Sequence, residues 1–277
     1  MNLNISEKIA KTVVWIASLG MFGVLTSIVA FILFKGLPAI SWSFLTQMPE
    51  KMGREGGIAS PIAGTFLVTV PAVLIAMPFG IGTAFYLAEY TKGGIITRAV
   101  RFSAESLAGI PSIVYGLFGF IFFVVKLNLG WSILSGSLTL AIMILPTIIR
   151  TSEVAISSVP KTYKEVSYSL GATKWQTIRL TVIPSAVRGI AIGVILAIGR
   201  CVSETAALIL TAGSVLGMPD SLLSSGRTMA VHFYLLATEG ISPERAFGTA
   251  ALLIITVFFI NVVANTLIER LFKRVGR

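Results

Sequence analysis

Six stretches of this chain run for about 20 residues or more with almost no charge. Such runs dictate the fold class, because roughly 20 apolar residues in a helix cross the ~30 Å hydrocarbon core of a bilayer. They cover residues 12–34, 58–88, 106–125, 130–149, 189–212 and 247–267. Charged residues make up 12% of the 277, whereas a soluble domain carries about 25%, so an ordinary water-soluble globule is excluded. The expectation is an all-α membrane protein, one domain over residues 1–277 with six transmembrane helices. The first run is longer than the roughly 7–15-residue apolar core of a signal peptide and lacks a small-x-small cleavage site after it. It is therefore expected to stay in the mature chain.

The net charge of +10 is no sign of nucleic-acid binding, since the cations lie between apolar runs and form no continuous stripe. They read as topology signals. Fifteen of the 22 Lys and Arg fall on one set of connections and six on the other, with Arg200 inside a run. Cytoplasmic connections are the Lys- and Arg-rich ones, which puts both termini in the cytoplasm. Cys201 is the only cysteine and His232 the only histidine, so no disulfide framework, cysteine metal cluster or two-His zinc motif is available. Cys201 is expected to be a small packing residue and His232 to pack in the outer stretch between the fifth and sixth runs. Pro71 and Pro78, with Gly64, Gly80 and Gly82, predict a kinked or broken second helix facing a pathway. Trp42 and Phe44 predict an interfacial stretch within residues 36–57.

The connection 150–188 is too long and too patterned for a simple linker. Thr162 and Glu165 have capping-box spacing, Gly171 suits a left-handed helix stop, and Ile183-Pro184 opens the next segment. A short helix over about 163–170 is predicted. The chain contains no Gly-x4-Gly-Lys-[Ser/Thr] phosphate loop, so any ATP chemistry must come from a partner. Asp220 is the only aspartate and Glu204 the only acid inside the runs, which leaves no carboxylate pair for hydrolysis.

The fifth run carries the unusual charges. At about 1.5 Å per residue from Gly189, Arg200 lies some 16 Å deep, near mid-bilayer, and Glu204 follows at i+4 on the same helix face. A charge at that depth costs at least about 2.5–3.5 kcal/mol and normally faces a bundle interior or an aqueous cavity. Two readings stay open: a self-neutralising structural pair, or a path where Arg200 attracts an anion and Glu204 positions it, with Ser203 and Thr205 as neutral donors. The planar fork of Arg matches two oxygens of an oxyanion at once. Gly189, Gly193 and Ala197 form a small-residue row that admits a close neighbour.

Glu165, Gly171 and Ile183-Pro184 resemble the cytoplasmic loop of ATP-binding-cassette (ABC) importer permeases, Glu-Ala-Ala, three residues, Gly, nine residues, Ile-x-Leu-Pro. Val166, Ser167, Thr181 and Ile183 depart from its identities. Gly199-Arg200-Cys201-Val202-Ser203-Glu204-Thr205-Ala206-Ala207 resembles the Arg-Ala-x-Gly-Glu-Thr-Ala-Pro segment of phosphate importer permeases of the PstA type, with Ser203 and Ala207 at the usual Gly and Pro. Gly109-Ile110-Pro111-Ser112-Ile113-Val114-Tyr115-Gly116, Gly56-Gly57-Ile58 and Gly64-Thr65 resemble that family too. The resemblance implies a type I ABC importer permease bundle in a bacterial cytoplasmic (inner) membrane, with a coupling helix that docks on an ATPase through the Thr162–Pro184 motif. It implies a PstC-like sister permease, two PstB-like ATPase subunits that hold ATP and Mg, and an external PstS-like phosphate-binding protein. No cofactor is expected on this chain. The alternatives are a permease for another oxyanion (sulfate, molybdate, phosphonate) and a stand-alone anion channel or secondary transporter.

Overall fold

The computed structural model describes residues 5–91 and 93–275, with side chains from 7 to 270 apart from 92. Lys92, Lys273, Arg274 and Arg277, which enter the charge bias, lie outside the described side chains. Helix α1 (Ile5–Gly36) is apolar and exposed on every face for most of its length, as suits a helix surrounded by lipid. It meets the rest of the chain through its last turns, where Phe31 packs edge-on against Phe247 at 5.7 Å and Gly36 abuts the Phe247 backbone.

A small cap follows, made of α2 (Trp42–Thr46) and the antiparallel strands β1 (Pro49–Glu50) and β2 (Glu55–Gly56). The two aromatics of the stretch expected to be interfacial stand differently here. Trp42 is 80% exposed, but Phe44 is fully buried, under the Arg245 guanidinium at 5.3 Å and beside Gly248.

From this hairpin end α3 (Ala59–Phe85) crosses to the opposite end and finishes in a π-helical turn, Tyr86–Tyr90. The predicted break at Pro71 and Pro78 does not occur; the helix runs on through both. Close packing supplies the reason. Gly64, Val68, Ala72, Ala76 and Gly80 are buried in one stripe at four-residue spacing, Gly64 lies against the Arg227 backbone, and a Cβ on Gly80 would sit 2.7 Å from the Ile148 side chain. With neighbours that close on one side, the helix continues past the hydrogen bonds that the prolines cannot make.

Next come α4 (Ile95–Ala108), α5 (Ser112–Gly119) with its π-helical continuation Phe120–Lys126, and α6 (Ile133–Ser157). The third run was placed at 106–125 as one helix, but residues 106–108 belong to α4, and the chain bends by 101° between Ile95–Ala108 and Ser112–Lys126. Pro111 explains the corner, because a residue before proline is pushed out of the helical region. The Tyr115 hydroxyl donates to the Leu107 carbonyl across it at 2.7 Å.

The connection after α6 holds α7 (Lys161–Ser169), α8 (Lys174–Thr177) and a π-helical turn, Ile178–Val182, which leads into α9 (Ile183–Val202). Gly171 has the expected left-handed φ, +81°. The capping box does not fall at Thr162–Glu165: Pro160 stands at the N-cap of α7 with no side-chain cap, so Thr162 is already inside the helix. The true box is Thr173–Gln176 at the start of α8. Beyond α9 come α10 (Ala206–Thr211), α11 (Met229–Thr238) and α12 (Pro243–Val275).

Among the described residues, five helical stretches are long and apolar enough to cross a membrane, or six if the bent pair counts as one span. The core lies where α3, α6 and α9 meet. Val68, Ala72, Ala76, Leu140, Ile144, Ile148, Ala197 and Cys201 are all buried there. Ser137 locks α6 to α3 by donating to the Val68 carbonyl at 3.0 Å.

Candidate functional site

The fifth apolar run is not one helix. α9 stops at Val202, residues 203–205 form a turn, and α10 starts afresh at Ala206. Ser203 and Glu204 cause the stop, since their side chains and the tightened backbone satisfy the groups that a continuing helix would use. The Ser203 hydroxyl donates back to the carbonyls of Gly199 (3.0 Å) and Arg200 (3.3 Å). The Glu204 amide bonds the Cys201 carbonyl at 3.2 Å, and the Glu204 carboxylate accepts from the Ala207 amide at 3.2 Å, at the first turn of α10.

Three glycines fix the far arm of this break. A Cβ on Gly116 of α5 would lie 2.8 Å from Ala207 Cα, one on Gly136 of α6 would lie 2.8 Å from Ala212 Cβ, and Gly119 packs against Thr139 and Thr211. Backbones thus touch where side chains would keep them apart. The segments 109–116 and 199–207, singled out separately in the sequence, meet at this contact.

Around the break Cys201, Val202 and Ala207 face the core and are buried. Arg200, Glu204 and Thr205 are part-exposed and Ser203 is exposed. Ser203 borders an open groove of about 470 Å³ with Leu253, Ile254, Val257, Phe258 and Asn261 of α12.

Of the two open readings, the self-neutralising pair of Arg200 with Glu204 is not formed in the structure. Among the described residues the Arg200 side chain makes neither an ion pair nor a hydrogen bond, because the turn at Ser203 removes the i,i+4 geometry that would bring the two together. The Thr205 hydroxyl caps nothing, whereas the Ser203 proton is engaged by the helix end. The site therefore offers a guanidinium with its fork of donors unengaged, one hydroxyl, and a carboxylate held in place by a backbone amide. That set can receive an oxyanion.

At the opposite end from the hairpin, α7 has no buried residue. Tyr163, Val166, Tyr168 and Leu170 are exposed along it, with Trp175 beside them on α8. Thr162, Glu165 and Gly171 are exposed too, Ile183 is half-buried, and Pro184 is exposed at the first turn of α9. Lys164 and Ser167 turn inward, and Lys164 pairs with Glu89.

Two further charged groups escaped the sequence reading. Arg101 Nε meets Glu153 Oε1 at 2.6 Å and Arg150 meets Glu105 Oε1 at 2.6 Å, tying α4 to α6 beside an open cavity of about 440 Å³. At the hairpin end, Arg227 donates to the Ser214 carbonyl at 2.8 Å and lies 3.4 Å from His232 Nδ1. His232 is fully buried, as its packing role requires, with Cε1 against Gly53. Burial, and then the Arg227 charge, hold its pKa down at about 4. Nothing in the local sequence signals these groups, whose members come from separate elements or from an irregular loop.

Residues 76–277 match the family model described as the binding-protein-dependent transport system inner membrane component. YqgI of Bacillus subtilis, a probable ABC transporter permease, is 32% identical over 99% of both chains. The phosphate transport permease PstA of Yersinia pestis is 32% identical over 85% of this chain and 81% of its own. PstA 1 of Mycobacterium tuberculosis H37Rv is 36% identical over 78% and 70%. Among solved structures, a bacterial alginate ABC transporter superposes with a TM-score of 0.66 at 16% identity, covering 96% of this chain and 98% of the other. The inward-facing MetNI methionine transporter gives 0.64 at 18% identity, with 77% and 95% covered. At these identities the structural likeness is one of fold, that of type I ABC importer permeases.

Proposed function

The chain belongs to the family of binding-protein-dependent transport system inner membrane components, multi-pass ABC transporter permeases that are not themselves ATPases, and from that premise we propose that it is the PstA-like permease of an ATP-driven inorganic phosphate importer. Arg200 attracts the anion, Thr205 donates to it and Glu204 accepts a proton bonded to one of its oxygens. Ser203 acts by stopping α9, so that these groups stand at a break and not along a closed helix. The observation that carries the reading is Arg200 left without a protein partner beside a fixed carboxylate. A charge at such a depth is retained where a ligand or water meets it.

A PstC-like sister permease completes the path across the open side of the break. Two PstB-like ATPase subunits, which hold ATP and Mg, receive α7 through its apolar exposed face, and a PstS-like protein delivers phosphate at the hairpin end. The chain itself holds no cofactor, and both termini are cytoplasmic, on the side of α7. Energy coupling is required. Against an inside-negative potential of about 100 mV, each negative charge imported costs roughly 2.3 kcal/mol, so a dianion costs about twice that.

The test is uptake into proteoliposomes holding the assembled complex, with ATP on the α7 side. Phosphate accumulation that needs ATP and the ATPase subunits supports the proposal. Accumulation of sulfate or molybdate in its place moves the assignment to another oxyanion, and uptake by the chain alone overturns the coupled reading. Glu204→Gln is expected to impair phosphate uptake far more than any residual sulfate uptake, because fully ionised sulfate has no proton to share. Equal effects on both remove the role given to Glu204.

A further inference from the structure

The connection 150–188 leads by sequence into α9, the helix that ends at the break. The structure contains a second route out of it. Lys164, on the inward side of α7, pairs with Glu89 on the π-helical turn that ends α3. The two side chains are 20% and 7% exposed, so water screens the pair little. One residue further along the same turn, the Tyr90 ring carries the Lys174 ammonium of α8 at 4.5 Å from its centroid. Within the loop, Ser167 of α7 and Thr177 of α8 bond through their hydroxyls at 2.9 Å, so the two short helices move as one piece. That piece is fastened to α3 at two adjacent residues, Glu89 and Tyr90.

We propose that Glu89 and Lys164, with Tyr90 and Lys174 beside them, form a strut that carries displacement of α7 directly into α3. The strut makes Glu89 and Lys164 positioning residues for energy coupling, distinct from the residues that meet the anion. Its physical basis is that α3 holds the centre of the core against α6 along an unbroken stripe of small residues. A push at Glu89 therefore moves α3 as a rod. Without the strut, the loop would drive α3 only through the apolar packing of Ala84 against Val182 and Ala186, a slipping contact with no charge to fix it, and α3 would lag behind α9. The inference rests on the reading of α7 as the ATPase-docking helix, but it is independent of which anion is carried.

The experiment uses the complete complex in proteoliposomes. Spin labels at Tyr163→Cys on α7 and Tyr86→Cys on the π-helical turn, in a Cys201→Ala background, report the separation of the two elements with and without trapped nucleotide. With the strut intact, one narrow distance distribution is expected, unchanged by nucleotide. In Glu89→Gln or Lys164→Met the distance should become nucleotide-dependent or broaden. The same variants should keep their ATP hydrolysis while consuming several-fold more ATP per anion imported. The charge exchange Glu89→Lys with Lys164→Glu should restore both readouts, which separates a broken strut from a chain that folds poorly. A wild-type separation that changes with nucleotide, or single variants with wild-type distances and a wild-type ATP ratio, would overturn the proposal. If the complex imports sulfate but not phosphate, the substrate assignment fails while the distances still decide the strut.

Discussion

Gly116→Ala inserts one methyl group where two helical backbones touch, and its consequence follows from the distances. The new Cβ would lie 2.8 Å from Ala207 Cα and 3.2 Å from the Ala206 carbonyl oxygen, while carbon atoms in ordinary contact sit about 3.5–4.0 Å apart. A third atom, Leu210 Cδ1 at 3.1 Å, could rotate away, but the two backbone atoms cannot. α5 and α10 must separate by nearly an ångström, and overpacking of this kind costs about 1–3 kcal/mol. Replacing a helical glycine returns about 0.5–1 kcal/mol through lower unfolded-chain entropy, so the net loss is of the order of 1 kcal/mol. Gly82→Ala in α3 is the control, because a Cβ there meets nothing within 4 Å and only the entropic gain remains. The assay is the thermal midpoint of the purified complex at one fixed scan rate, since membrane complexes unfold irreversibly, together with ATP-driven uptake. Gly116→Ala should melt below the wild type and lose uptake, because α10 carries the far side of the turn that holds Glu204. Gly82→Ala should melt at or above the wild type. A Gly116→Ala complex as stable and as active as the wild type would refute the idea that this contact fixes the site.

Two other outcomes are expected. His232 is held neutral with a pKa of about 4, below the ordinary value of 6.5, so the unfolded chain binds the extra proton between those values and stability falls as pH drops from about 6.5 towards 4. Melting at pH 7 and pH 5 should differ more for the wild type than for His232→Asn, by about 1–2 kcal/mol, and equal differences would contradict the assignment. Arg101→Met strands the nearly buried Glu153 carboxylate (9% exposed) and should destabilise the complex by about 1–3 kcal/mol. Glu105→Gln breaks a pair exposed by 56% on both sides and should cost under about 1 kcal/mol. A reversed order in the melting series would show that burial does not decide the strength of these pairs.

Hydrophobic length alone located the long helices, because the bilayer imposes it on any spanning segment. Boundaries depended on residues whose effect is not a matter of hydropathy. Ser106, Leu107 and Ala108 are as apolar as a span needs, yet they belong to the helix before the corner, and Pro111 is what turns the chain. A paired Arg200 and Glu204, one of the two readings open in the sequence, supposes a helix that continues through Ser203, Glu204 and Thr205. Ser203 and Glu204 bond locally instead and stop the helix, and that leaves the guanidinium unengaged. Thr162 and Glu165 had the spacing of a cap, but Pro160 had already started the helix. Glu89 and Lys164 lie 75 residues apart, and no pattern within either segment announces that they meet. The residue types at the break were legible, and their arrangement required the fold.

The most direct measurement of the central claim, that an anion passes Arg200, is ATP-driven phosphate uptake by the reconstituted complex carrying Arg200→Gln, with ATP hydrolysis and melting recorded on the same preparation. The account predicts that uptake is lost while the complex assembles, melts near the wild type and still hydrolyses ATP, and that Arg200→Lys, which keeps the charge without the fork, retains part of the uptake. Full uptake by Arg200→Gln would contradict it.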